Sequence, residues 1–212
     1  MANEEALRRV AAEVDVCTKC ALHQGAKHGV PGVGDPHAEL FFIGEAPSSY
    51  DDRRGAPFSG PSGAFLDELL GLVGLSRSHV FLTNVVKHRV PEGRELAPDE
   101  IAACSDYLTR QIAAVDPRVI VTLGRAALLR FFPKARVSQA HGQIKLTNGR
   151  LVVAMYNPAA ALHQEALRQT VIDDFVRAIP AALAEARRLR DAGALDATGD
   201  TSPDGPQQLP LF

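Results

Sequence analysis

The chain lacks a strong net charge of either sign: 23 Lys and Arg stand against 25 Asp and Glu, a formal −2. No global field therefore favours nucleic acid, and any phosphate-binding surface must be local. Basic clusters do occur, at Arg53-Arg54, at Lys87-His88-Arg89, and at Lys134 with Arg136, although such clusters are commonly solvated faces. No run of 18 apolar residues is present, which excludes a membrane-spanning helix. The opening Met1-Ala2-Asn3-Glu4-Glu5 is acidic and helix-forming where a secretion signal is basic and then apolar. A cytosolic, cytoplasmic protein is expected. Cysteine is scarce, at three residues, and a reducing compartment argues for metal or redox chemistry over a structural disulfide. No internal repeat is found.

What is present suits one sizeable domain: 212 residues, 46% hydrophobic and 23% charged, ordinary for a globular chain with a buried core. Helical spacing marks roughly 4–14, 62–74, 98–115, 124–131 and 167–190. Apolar runs at 39–43, 79–83, 118–123 and 151–155 alternate with them as buried strands. Four such strands interleaved with helices imply an α/β fold with a mostly parallel four-stranded sheet covered on both faces. Pro98-Asp99-Glu100 opens one helix, and Gly124 and Gly142 punctuate later turns. From Ala192 the composition turns to Gly, Asp, Thr, Ser, Pro and Gln, which bury too little to offset their ordering entropy. Residues 1–191 read as the domain and 192–206 as a disordered tether.

The stretch from Gly44-Glu45-Ala46-Pro47-Ser48 through Gly55-Ala56-Pro57-Phe58 to Gly60-Pro61-Ser62-Gly63 carries the most information. It follows the strand Leu40-Phe41-Phe42-Ile43 and precedes a helical pattern, the place where open α/β sheets build ligand sites. About 20 residues is long for a βα connection, against a usual 2–6. The loop reads as a shaped pocket wall.

Cys17 and Cys20 form a C-x2-C pair after the first helix, and Cys104 lies inside the helix that Pro98 opens. Three thiolates want a fourth ligand, for which His88 is the candidate. Imidazole replaces thiolate in some iron–sulfur centres and serves zinc in Cys3His sites, so both metals stay open. Without a metal, Cys104 would be an apolar core residue and His88 a surface histidine.

Taken together, Cys17-x2-Cys20, the G-E-A-P segment with Gly55-x-Pro57-Phe58, Thr83-Asn84-Val85-Val86-Lys87, Cys104, and Val119-Ile120-Val121-Thr122-Leu123-Gly124 resemble the iron–sulfur, family 4-like uracil-DNA glycosylases. The match runs from about Cys17 to Ala182 with the motifs in the family's order. It implies a three-layer α/β/α fold, a structural [4Fe-4S] cluster, and a pocket that hydrolyses the N-glycosidic bond of a flipped-out uracil. By the same resemblance, Gly44, Glu45 and Ala46 contact the uracil ring through backbone, Phe58 stacks on it, and Asn84 reads its Watson–Crick edge. An amide donates and accepts at once, matching adjacent carbonyl and N–H groups of uracil.

The chain departs from that family at three places. His88 takes the position of the third cysteine ligand, as in the uracil-DNA-crosslinking relatives, but their Lys/Arg-rich loop ending in histidine has no counterpart, so no covalent DNA adduct is expected. Asn157, in Asn157-Pro158-Ala159-Ala160-Ala161-Leu162, replaces the third-motif histidine, as in the mismatch-specific uracil glycosylases. Its amide can still donate to the departing base, so activity is expected, slower or differently selective. His163 is a possible substitute. Ser48, Ser49 and Tyr50 replace Gly and acidic residues, and Tyr50 is a candidate for excluding thymine at C5. A carboxylate should position the attacking water; Glu45, Asp51 and Asp52 are unranked candidates. Leu162, in the Ala161-Leu162-His163 segment, is the natural wedge into the duplex.

The chain ends Gln208-Leu209-Pro210-Leu211-Phe212, similar to the peptide by which bacterial repair proteins dock on the sliding clamp. Gln208, Leu209, Leu211 and Phe212 would fill an apolar cleft while the tether gives reach. The expected partners are uracil-containing DNA and that clamp, with no membrane and a monomeric chain. The alternative function is a uracil-DNA sensor that keeps the pocket and has lost catalysis through Asn157.

Overall fold

The computed structural model describes residues 2–91, 94–162, 164–193 and 207–208. Its centre is a parallel set of strands: β2 (Leu40–Gly44), β3 (Val80–Asn84), β4 (Val119–Leu123) and β6 (Arg150–Met155). The two short antiparallel strands β1 (Val33–Gly34) and β5 (Ile144–Thr147) extend it, and Gln207–Gln208 (β7) pairs beyond β5. The order is β1-β3-β2-β4-β6-β5-β7. The four expected strands are thus the parallel core, and the four-stranded sheet was an undercount. The antiparallel edges escaped because β1 is two residues long and β5 alternates Ile, Lys, Leu and Thr in place of an apolar run. Asn148 and Gly149, at φ 48° and 71°, join β5 to β6, which is the two-residue loop chemistry of a tight hairpin.

Side chains of successive strand residues point to opposite faces, and the two cores follow from that. Leu40 and Phe42 of β2 face a core with α3 (Pro61–Leu72) and α8 (Glu165–Asp191), where Phe42 stacks on Phe175 with ring centroids 6.0 Å apart. Phe41 and Ile43 face a second core with α1 (Ala2–Asp15) and α4 (Pro98–Val115), and Phe41 stacks on Phe81 at 5.1 Å. All four residues are essentially inaccessible, each contributing about 1.5–3 kcal/mol. Helices on both faces of the sheet make the three-layer α/β/α architecture.

Local chemistry sets the helix ends. In α2 (Ser49–Arg54), Ser48 and Asp51 form a reciprocal capping box, and Gly55 closes the helix in the left-handed conformation at φ 68°, a position suited to glycine. Pro61 and Pro98 stand in the first turns of α3 and α4, where their missing N–H is no loss. α5 (Arg125–Leu129), α6 (Val137–Ala140) and α7 (Pro158–Ala161) are short. α8 ends at Asp191, where the sequence places the domain boundary. Of the expected tether, Ala192 and Gly193 are described and 194–206 lie outside the described residues. Leu209, Leu211 and Phe212 of the expected clamp peptide also lie outside them.

Candidate active site

β2 pairs with β3 on one side and β4 on the other, both in parallel. The chain passes to one neighbour and later returns to the other, so the carboxyl end of β2 is the switch point at which such sheets open a crevice. Gly44 ends β2 in register with Asn84. A Cβ built on Gly44 would lie 2.3 Å from Asn84 Oδ1 and 2.8 Å from Phe58 Cζ. Glycine is therefore required at this contact, where the amide and the aromatic ring converge on backbone. Asn84 is 3% exposed and Phe58 is 6% exposed. Among the described residues the Asn84 side chain makes no hydrogen bond, so its donor and acceptor remain available.

Phe58 adopts φ +53°, a left-handed conformation that is strained for a bulky residue. Its surroundings impose it. Arg77 Nη2 donates to the Phe58 carbonyl at 2.5 Å, and the same guanidinium pairs with Asp67 at 2.6 Å. Gly63 of α3 packs so closely that a Cβ there would meet the Phe58 carbonyl oxygen. Arg77 was not foreseen from sequence; it lies on a turn some 20 residues away with no pattern to mark it.

The three expected carboxylates divide. Asp51 accepts from the backbone N–H of Ser48 at 2.8 Å and of Ser59 at 2.6 Å. Asp52 accepts from Lys27 N at 2.7 Å and His28 N at 3.3 Å. Both are buried clamps of the loop. Glu45 is half-buried and uses Oε1 to accept from Ala126 N at 2.7 Å, capping α5. Its Oε2 has no hydrogen-bond partner among the described residues. A Cβ on Gly124, whose φ is +95°, would lie 2.9 Å from Glu45 Cδ and 3.2 Å from Asn157 Cβ. Gly124 is thus the point where Glu45 and Asn157 meet, a role beyond the turn its sequence suggested.

Asn157 accepts from Ala159 N at 3.0 Å through Oδ1, the capping bond that starts α7. Fixing the oxygen leaves the amide N–H2 group for other partners. Leu162 follows buried Ala161 and is 37% exposed; His163 lies outside the described residues. Tyr50 does not enter this group. Its ring lies against Gly60 and beneath Arg53, 4.7 Å from the guanidinium, while the atoms nearest Gly44 belong to Asn84 and Phe58. A cavity of about 660 Å³ borders Glu45 and Ala46 on another side, lined also by Leu96, Ile101 and Arg125.

On the second core's face, α1 packs on α4 and brings Cys17 and Cys20 towards Cys104. All three thiols are free; Cys17 and Cys104 are buried and Cys20 is half-buried. Burial pushes the Cys20 and Cys104 thiols up, and each feels the neighbouring Cys17. Burial likewise raises the Tyr107 phenol, with Cys17 adding to the shift. His88 is buried, its Nδ1 has no hydrogen-bond partner among the described residues, and burial with His23 nearby lowers its pKa against the pull of Asp52. Among the described residues no three His, Cys, Asp or Glu side chains close on one point.

A family model described as the Uracil DNA glycosylase superfamily matches residues 31–179, well over half of the chain. The type-4 uracil-DNA glycosylase of Archaeoglobus fulgidus is 40% identical over 180 residues, covering 81% of this chain and 90% of that protein. That of Saccharolobus solfataricus is 42% identical over 176 residues, 78% of this chain and 82% of the other. That of Thermotoga maritima is 36% identical over 180 residues, 82% of this chain and 94% of the other.

Proposed function

As the chain belongs to the uracil-DNA glycosylase superfamily, we propose that it is a DNA repair hydrolase that cleaves the N-glycosidic bond of a flipped-out uracil and leaves an abasic site. The observation that carries this reading is the meeting of Asn84, Phe58 and Gly44 at the end of β2, beside Glu45 and Asn157 across Gly124. Uracil stacks on Phe58, Gly44 and Ala46 approach it with backbone, and Asn84 pairs with its edge, accepting from N3–H and donating to a carbonyl. Cytosine lacks the N3 proton and so leaves a buried partner unsatisfied.

Bond breaking leaves negative charge on the base and positive charge on the sugar. The Asn157 amide, anchored by its oxygen, donates to the base as that charge develops; one such donor contributes about 2.7–4 kcal/mol. Glu45 meets Asn157 at Gly124 and keeps Oε2 free of hydrogen bonds among the described residues, so it orients the attacking water and stabilises the cationic sugar. Asp51 and Asp52, which the sequence offers as equals, hold the loop instead. Leu162, with His163 beside it, fills the place the base vacates.

Cys17, Cys20, Cys104 and His88 would hold a [4Fe-4S] cluster. Support comes from the buried His88 Nδ1, which has no hydrogen-bond partner among the described residues, and from three free thiols gathered on one hydrophobic core. When bound, the cluster supplies a structural staple between α1, α4 and the segment after β3. Zinc is the other ion this set accepts, and colour separates the two, since iron–sulfur protein is brown with broad absorption near 400 nm. The clamp-binding tail, Gln208 to Phe212, delivers a cytoplasmic, monomeric enzyme to replicating DNA.

The test is single-turnover release of uracil from labelled single-stranded, U:A and U:G oligonucleotides by metal-replete protein and by its Asn84→Ala and Asn157→His variants. Release by wild type, loss in Asn84→Ala and gain in Asn157→His are expected. Tight uracil-DNA binding with no release by wild type or Asn157→His would replace the enzyme with a sensor.

A further inference from the structure

Lys87 is fully buried, yet among the described residues its side-chain nitrogen faces no carboxylate. It donates to Thr83 Oγ1 at 2.8 Å, to the Asn84 carbonyl oxygen at 2.7 Å and to Gln111 Oε1 at 2.8 Å. Three neutral oxygens surround the nitrogen, and burial pushes the Lys87 pKa down to about 7, so a charge so placed is costly. A methionine would fill a similar volume without that cost, so the lysine supplies something that apolar packing does not.

The bond to Asn84 shows what it is. The Asn84 side chain has no hydrogen bond of its own among the described residues, so its direction is set by the backbone that carries it. On the β2 side that backbone is pinned by Val85 N to the Gly44 carbonyl at 2.9 Å and by Val86 N to the Glu45 carbonyl at 3.2 Å. Lys87 pins it from behind. Gln111 and Thr83 hold the ammonium in place: Gln111 Nε2 donates to the Pro31 carbonyl at 2.6 Å, as does Thr83 Oγ1 at 2.6 Å. The Lys87 carbonyl oxygen in turn accepts from Val30 N at 2.7 Å, so the residue is fixed through its own backbone as well.

Resting on the glycosylase reading above, we propose that Lys87 is the positioning residue for base reading: its side-chain nitrogen fixes the Asn84 peptide and so aims the side-chain amide at uracil. The ammonium does not touch substrate. Its effect passes through Asn84, and an error of about 1 Å in such placement costs on the order of 10²-fold in rate.

The test is a double-mutant cycle on single-turnover uracil release, with Lys87→Met made in wild-type and in Asn84→Ala backgrounds, alongside metal content per chain. In the wild-type background Lys87→Met should lower the saturating rate about 10- to 100-fold, change the half-saturating enzyme concentration little, and retain metal. In the Asn84→Ala background it should lower the rate no more than about twofold, the mark of residues acting as one unit. Equal losses in both backgrounds, a loss confined to half-saturation, or a loss that follows metal content would overturn the proposal. Should Lys87→Met not fold, Thr83→Val and Gln111→Met each remove one acceptor while leaving the lysine. Each should give a smaller loss that again disappears without Asn84, and a loss independent of Asn84 would overturn the proposal equally. Wild type that releases no uracil sinks the glycosylase reading itself, whereas active wild type with an Asn84-independent Lys87→Met effect sinks only this inference.

Discussion

The two sides of the site, both on the carboxyl edge of one sheet, are built to different standards. On the β2–β3 side, Gly44, Phe58 and Asn84 sit behind a dense framework: Asp51 and Asp52 accept four backbone N–H groups, Arg77 holds the Phe58 turn, and Lys87 holds the Asn84 peptide. On the β4–β6 side, Asn157 is held by one capping bond at the start of a four-residue helix, with exposed Leu162 just beyond. Choosing a base demands fixed geometry, because discrimination comes from leaving the wrong partner's groups unsatisfied. Helping a base depart demands only a donor within reach, which either asparagine or histidine supplies. On the proposed reading, the lightly built side is where this chain can carry Asn157 in place of the histidine that the sequence resemblance implies.

The sharpest way to break that comparison is Gly44→Ala. The added methyl would stand 2.3 Å from Asn84 Oδ1 and 2.8 Å from Phe58 Cζ, so both side chains would have to turn away from the pocket. We expect uracil release to fall about 10³-fold, from displacement of both groups, with a loss of stability of about 1–3 kcal/mol from overpacking. Single-turnover assay and denaturant unfolding measure the two effects. Near-normal release would mean that the reading side yields as readily as the other.

Asn157→Ala tests the lighter side. Losing the donor should slow release about 10²-fold, and losing the cap should cost about 1 kcal/mol. Discrimination of uracil from cytosine should stay at its wild-type ratio, because reading belongs to the opposite wall. A variant that loses discrimination along with rate would merge the two sides into one.

Next in size is Asp51→Asn. The carboxylate accepts two backbone N–H groups with its two oxygens, and asparagine turns one of those oxygens into a donor. A buried donor facing a donor costs about 1–3 kcal/mol. Release should slow about tenfold as the Phe58 loop loosens, and unfolding measurements should register the stability loss. A rate loss of several hundredfold without destabilisation would return Asp51 to the list of catalytic carboxylates.

These expectations mark how far the sequence could be read. The parallel strands were legible because strands buried on both faces become unbroken apolar runs such as Leu40-Phe41-Phe42-Ile43. The hairpin of β5 and β6 was missed although Asn148-Gly149 announces it, since Lys145 and Thr147 interrupt the apolar pattern. The site's residue types were legible through motif and order, with Glu45, Phe58, Asn84 and Asn157 all falling on the sheet's carboxyl edge. Their supports were not. Arg77 reaches Phe58 across 19 residues and Gln111 reaches Lys87 across 24, and no local spacing encodes such contacts. Ranking the carboxylates needed the same long-range information: Asp51, Asp52 and Glu45 differ in burial, in the N–H groups set beside them and in their neighbours, Arg89 for Asp52 and Asn157 for Glu45.

Leu162→Ala should have the smallest effect and depend most on the substrate. Its side chain is 37% exposed just beyond the α7 turn, and the proposed wedge acts only where a base must leave a stacked, paired duplex. Unstacking a paired base costs a few kcal/mol, of which an apolar wedge recovers part. Release from U:A duplex should slow about tenfold, release from U:G less because the pair is already weak, and release from single-stranded DNA not at all. That order assigns duplex opening to the lightly built side and base reading to the rigid one. Equal slowing on all three substrates would show that Leu162 supports the pocket itself, and the division of labour between the two walls would have to be redrawn around α7.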